Sequence, residues 1–210
     1  MIPLYLNKLS SNYGIIFIHL KIVFIHKMPV KNTHYPRLNI QKIMIIGRPG
    51  SGKSTFAVWF SKILNIPVFH LDKYFFEKNW VERNYQEFLS SQKEMISNPS
   101  WIIDGNSTKS YEMRYKHAEL CLYFNFPRWL CYWRVFKRLF YKHRDIDDRA
   151  PNCPETVRWS LLKYMWNFED RVNPILQQLQ SKYPDVQLIE LCSDLKVNQF
   201  IKYILKDKIT

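Results

Sequence analysis

Glycine is scarce in this chain, five residues among 210, which excludes a glycine-rich repeat or a long flexible linker. Three of the five, Gly47, Gly50 and Gly52, fall within six positions. Cysteine is sparse and scattered. Cys121, Cys131, Cys153 and Cys192 form no C-x-x-C pair and have no histidine at metal spacing, so neither a zinc site nor a disulfide framework is signalled, and reduced thiols of a cytoplasmic protein are expected. Acidic residues are outnumbered 18 to 31, and the formal charge of +13 points to anionic partners, which include nucleotides, nucleic acids and membrane surfaces. Long hydrophobic runs are also missing. The most apolar stretch, GIIFIHLKIVFIH from Gly14 to His26, is shorter than the roughly 20 residues a span needs and is interrupted by His19 and Lys21.

That stretch belongs to residues 1–39, which carry Lys8, Lys21, Lys27, Lys31 and Arg37 but no acid. A secretory signal would need a small-residue cleavage site, and none precedes Met28. Residues 1–39 are expected to be a poorly ordered basic extension, with a membrane-surface anchor as the alternative. Residues 40–210 are expected to form one domain.

Within 40–210, short apolar runs alternate with helical patterns. IMII (43–46), PVFHL (67–71), WIID (101–104), LCLYF (120–124) and VQLIEL (186–191) predict five strands buried on both faces. Lys53–Leu64 predicts a helix with Phe56, Phe60 and Ile63 on one side. A second helix should start at the N-cap Asn84, carry Tyr85, Phe88, Leu89 and Ile96 inward, and stop before Pro99. Strands alternating with helices predict an α/β fold in three layers around a parallel sheet.

IMIIGRPGSGKST, residues 43–55, contains G-x-x-x-x-G-K-[ST] between a strand and a helix. Gly47, Arg48, Pro49, Gly50, Ser51, Gly52, Lys53, Ser54 and Thr55 are therefore the candidate binding loop for the phosphates of a nucleoside triphosphate such as ATP. In such a loop the backbone N–H groups turn toward the phosphates, the lysine reaches the β and γ oxygens, and the hydroxyl binds Mg²⁺. Two familiar uses of bound phosphate lack their residues. No glutamate follows Asp104 to align water, as in motor ATPases, and no N-K-x-D guanine-reading motif lies in the core. Transfer to a bound acceptor with water excluded is the better class.

IMIIGRPGSGKST, WIIDGN and FNFPRWLCYWRVFKR resemble, in the same order, the corresponding pieces of adenylate kinase and related small-molecule kinases. With FHLD, CPE and WNF added, residues 40–205 look closer still to the bacterial DNA topology modulation proteins, an adenylate-kinase-like group. The resemblance implies a P-loop kinase-type fold with a central five-stranded parallel sheet and a short lid over 139–153. It implies that Asp104 holds the Mg²⁺ shell with Ser54, that Arg134 and Arg138 contact the nucleotide, and that a lid arginine, Arg149 or Arg144, reaches the transferring phosphate. Arg171 is a further candidate. The apolar stripe Trp129, Tyr132, Trp133, Phe136 and Phe140 is expected to face the core, leaving Arg134 and Arg138 on another face.

On the acceptor side the candidates are Asp72, which could orient a hydroxyl, with Lys73, Trp80, Arg83 and Arg114 around the pocket. The D-G-F-P-R of adenylate kinase reads Asp104-Gly105-Asn106-Ser107-Thr108 here, without the arginine that grips a monophosphate. The resulting expectation is a Mg²⁺-dependent kinase acting on an unidentified small acceptor. The alternative is a DNA-associated regulator that binds nucleotide without transferring phosphate. No helix-turn-helix, zinc finger or RNA-recognition signature supports that alternative.

Overall fold

The computed structural model describes residues 40–140, 153 and 157–207. The proposed extension 1–39 and Arg149, with all of the proposed lid except residues 139, 140 and 153, lie outside these.

Five parallel strands form one sheet in the order β2-β3-β1-β4-β5: β1 is Lys42–Gly47, β2 Val68–His70, β3 Trp101–Asp104, β4 Leu120–Phe124 and β5 Gln187–Glu190. Each overlaps its sequence expectation. β1 is central, pairing with β3 from Lys42↔Trp101 to Ile45↔Asp104 and with β4 from Ile43↔Leu120 to Gly47↔Phe124. Successive side chains of a strand point to opposite faces, so an unbroken apolar run must be covered twice. Ile43 and Ile45 face α1 (Lys53–Leu64) and α8 (Asp194–Asp207), through Phe56, Phe60, Phe200 and Ile204. Met44 and Ile46 face α3 (Tyr85–Ser97), α4 (Tyr111–Tyr115) and α7 (Phe168–Lys182), through Phe88, Tyr111, Phe168 and Val172. This is a three-layer α/β fold around a five-stranded parallel sheet.

The remaining helices lie beyond the carboxyl ends of the strands or beside them. The short α2 (Leu71–Phe75) follows β2, α5 (Arg128–Phe140) follows β4, and α6 (Trp159–Trp166) precedes α7. Asn84 caps α3 by accepting from the Gln86 N–H at 2.8 Å. Among the described residues the helix after the proposed lid begins at Trp159.

The inward face of α5 differs from expectation. Tyr132 of the expected stripe packs against the core, but Cys131 and Val135 are buried against the phosphate loop, whereas Trp129, Trp133 and Phe136 are exposed. The most apolar stripe of α5 is thus its outer one. A 3.6-residue period identifies two faces of a helix but does not say which meets the core.

Candidate functional site

β1 ends at Gly47, and the turn that follows is built from left-handed glycines, with φ of 83° at Gly50 and 89° at Gly52. Those values disfavour any L side chain. Gly50 also has no room for one, because a Cβ there would stand 2.4 Å from the Cys131 carbonyl oxygen of α5. Gly52 caps α1 and faces open space, with no atom within 4 Å of a built Cβ. The loop is therefore packed on its α5 side and open beside the α1 N-terminus, where Lys53, Ser54 and Thr55 begin the helix.

The turn after β3 fixes the loop from the other side. The Asn106 side-chain amide donates to the Gly47 carbonyl at 2.6 Å, and its Oδ1 accepts from the Gly47 N–H at 3.0 Å. Arg114, fully buried on α4, holds that same turn by donating to the carbonyls of Gly105 (3.1 Å) and Ser107 (3.0 Å). Burial lowers its pKa to about 10, against raising contributions led by Tyr111. Arg114 is thus brought beneath the site as a brace and is not open to the pocket.

Asp104, at the end of β3, is the centre of the arrangement. It is 3% exposed, and its Oδ2 lies 2.9 Å from Nδ1 of His70, its register partner on β2. Burial pushes the carboxyl toward the neutral form, but the Lys53 ammonium, His70 and the Ser54 hydroxyl together hold its pKa below the ordinary 3.8. The carboxylate being ionised, Nδ1 of His70 carries the proton and donates. Asp104 Oδ1 is buried with no hydrogen-bond partner among the described residues. An ionised carboxylate with an orphaned oxygen, a hydroxyl and a lysine at one point fit a divalent cation and a phosphate. Among the described residues no three acidic, histidine or cysteine side chains cluster as a metal cage.

Other candidates are placed differently. Arg48 is fully buried and points away from the loop opening, donating to the carbonyls of Phe126 (2.8 Å) and Met165 (2.9 Å) and pairing with Glu169 at 3.3 Å. Only its backbone is available to a phosphate. Arg134 donates to both Asp194 carboxylate oxygens at 2.8 Å and to the Ser51 carbonyl at 3.3 Å, so it ties the loop to the start of α8. Arg138 lies one turn further along α5.

On the acceptor side, exposed Asp72 lies in the first turn of α2; burial raises the Tyr164 pKa to about 12, Arg171 opposes that rise, and the nearby Asp72 carboxylate adds to it. Arg171 stacks on Tyr164 at 4.2 Å, and the Tyr164 hydroxyl is 3.5 Å from the Asn106 carbonyl oxygen. Half-buried Arg83 lies 4.0 Å from Glu77. Cys153 bonds the Glu77 carbonyl and the Trp80 N–H, and Arg158 sits 5.1 Å over the Trp80 ring.

His70, Asn106 and Tyr164 are not evident from the sequence. FHLD and WIIDGN contain the first two, but only the register that sets His70 beside Asp104 shows what His70 does.

No family model matches the chain, and no curated protein matches it. Membership of the DNA topology modulation group is therefore not shown. Among solved structures, the chain is similar to shikimate kinase from Acinetobacter baumannii in complex with shikimate, with 16% identity and a TM-score of 0.49 over 82% of this chain and 97% of that one. It is similar to deoxyadenosine kinase from M. mycoides with bound dATP, with 17% identity and a TM-score of 0.48 over 81% of this chain and 100% of that one. Shikimate kinase from Bacteroides thetaiotaomicron gives 16% and 0.48 over 80% of this chain and 99% of that one. At these scores and identities none of the likenesses assigns a substrate or an activity.

Proposed function

We propose that this protein is a Mg²⁺-dependent phosphotransferase of the kinase type, which moves the γ-phosphate of ATP to a small hydroxyl-bearing or nucleotide-like acceptor. The observation that carries this reading is the meeting of Lys53, Ser54 and the ionised, half-partnered Asp104 beside the open glycine turn. These groups lie outside the carboxyl ends of β1 and β3. The helices that follow those strands, α1 and α4, leave on opposite faces of the sheet, which opens a crevice there.

In this reading Gly47–Thr55 holds the triphosphate through its backbone, and Lys53 neutralises charge between the β and γ positions. Ser54 and Asp104 would hold Mg²⁺, which supplies charge neutralisation across the phosphates when bound. Arg134 keeps the loop in shape from its outer rim, while Arg138 and Arg149 are assigned to charge that develops during transfer. Asp72, near Tyr164 and Arg171, is assigned to orient the acceptor hydroxyl, and Arg83 to bind the same acceptor. Arg114 acts on the substrate only through the turn it braces.

The test is a γ-phosphate transfer screen with MgATP over nucleoside monophosphates and hydroxylated metabolites. Lys53→Ala is expected to lower transfer to the best acceptor by about a hundredfold or more, the scale of removing one transition-state charge partner. Full activity in that variant overturns the proposal.

A further inference from the structure

The side chain of Arg48 leaves the phosphate loop and ends at the junction of α6 and α7. Its Nε donates to the Met165 carbonyl at 2.9 Å, its Nη1 donates to the Phe126 carbonyl at 2.8 Å, and its Nη2 faces Glu169 Oε1 at 3.3 Å, with the guanidinium carbon 5.8 Å from the Phe168 ring centre. Met165 is next to last in α6, where carbonyls lack an intrahelical partner, and Glu169 lies in the first turn of α7. One side chain thus closes the end of one helix and pairs with the start of the next. A second chain of contacts returns to the same place. Tyr164, the residue before Met165, donates its hydroxyl to the Asn106 carbonyl at 3.5 Å, and the Asn106 side chain is bonded in both directions to Gly47, the residue before Arg48. Adjacent residues of the loop are therefore tied to adjacent residues of α6.

Packing alone gives little reason for a charge at this point. Arg48 is fully buried, and an apolar side chain of like volume in such a position is often as stable or more so. Glu169 does not require it either, since the Glu169 side chain is partly exposed and also pairs with Arg128 at 3.4 Å. What a guanidinium adds is direction. Its planar fork meets Met165, Phe126 and Glu169 along set directions, so a shift of the loop backbone at Arg48 is passed to the α6–α7 junction rather than absorbed by loose packing. That junction carries two groups of the acceptor side. Arg171 lies 4.2 Å over the Tyr164 ring, with its Nη2 3.5 Å from the Tyr164 carbonyl oxygen, and its Nε donates at 3.4 Å to the carbonyl of Asn167, the C-cap of α6. Tyr164 and Arg171 are thus set by the same junction that Arg48 holds.

We propose that Arg48 is a positioning residue that couples the phosphate loop to the acceptor side: with the loop filled, Arg48 holds the α6–α7 junction, and with it Tyr164 and Arg171, in one arrangement. This rests on the reading that Gly47–Thr55 holds the triphosphate. Phosphate oxygens bound by the loop N–H groups fix the backbone from which Arg48 projects. By reciprocity, a ligand that orders Tyr164 and Arg171 tightens nucleotide binding.

The test is hydrogen exchange of the full chain with and without saturating MgATP, saturation being set for each variant by titration with a fluorescent MgATP analogue. In the native chain MgATP should slow exchange across 159–171 by about fivefold or more beyond its effect on α3, the usual scale of coupling between sites. Referring the change to α3 removes the general stabilisation that any ligand gives. In Arg48→Met the extra slowing should fall to less than about twofold. Arg48→Lys should lose it nearly as fully, because an ammonium supplies the charge beside Glu169 but not the fork. If Arg48→Met fails to fold, the lysine variant decides alone. Extra slowing retained in either folded variant overturns the proposal, and so does a folded variant that no MgATP concentration saturates, which would confine Arg48 to the shape of the loop. A native chain that binds no analogue overturns the phosphate-loop reading as well, whereas binding without extra slowing overturns this inference alone.

Discussion

Asp104 shows how its neighbours can set a site. The carboxylate is buried, which by itself would raise its pKa, and it is lowered only because Lys53, His70 and Ser54 surround it. With the folded value below the unfolded one, the native state binds fewer protons than the unfolded chain as acid is added. The resulting stabilisation is complete above the ordinary 3.8 and is lost as pH falls through the lower folded value. The difference in urea midpoint between the native chain and Asp104→Asn should therefore shrink as pH is lowered through that range. His70→Ala strands Oδ2 in a buried position, at a cost of about 1–3 kcal/mol in chemical denaturation. It should also raise the Mg²⁺ concentration needed for nucleotide binding by about tenfold to a hundredfold, as loss of an outer partner of a metal ligand does. A His70→Ala protein with unaltered Mg²⁺ dependence would assign the pair to folding alone.

At the scale of elements, the phosphate loop is a turn held between two supports. Asn106 binds Gly47 from the β3 side, and α5 lies against Gly50 from the other. Gly50→Ala and Gly52→Ala should consequently fail in different ways. Both place a side chain at positive φ, worth about 1–2 kcal/mol. At Gly50 the new methyl also meets the α5 backbone, so Tm should fall by clearly more than in Gly52→Ala. At Gly52 the methyl meets no protein atom and stands where phosphate is proposed to bind, so nucleotide affinity should fall with little further loss of stability. Thermal denaturation and nucleotide titration of the two variants side by side check this. The strands and α1 were legible because runs such as IMII and the spacing of Phe56 and Phe60 carry one reading each. α5 has two plausible inner faces, and the larger residues of the outer one outweighed Cys131 and Val135 in the pattern.

The described domain is a sheet whose apolar faces are closed by helices and whose carboxyl edge gathers polar groups from β1, β2 and β3. A ligand bound at that edge touches several elements at once and should stabilise the domain as a unit. MgATP at about a hundred times its Kd is expected to add about 2.7 kcal/mol to unfolding. The accompanying rise in Tm should depend on nucleotide concentration and vanish in Lys53→Ala. An equal rise in that variant would place the nucleotide elsewhere. The formal charge of +13, ambiguous in the sequence, becomes partly assignable, with Arg48, Arg114 and Arg134 serving internal contacts.

The sequence by itself determined the five strands, the helix that starts at Lys53 and the glycine loop, because each rests on local chemistry: unbroken apolar runs, backbone freedom and spacing along one segment. Tertiary structure decided everything that depends on which segments meet. It set His70 against Asp104 through parallel register, turned Arg48 and Arg114 from candidate ligands into buried braces, and gave Asn106 a partner 59 residues away. It also put the aromatic stripe of α5 outside. A side chain's role follows from its neighbours, and linear sequence gives those only within an element.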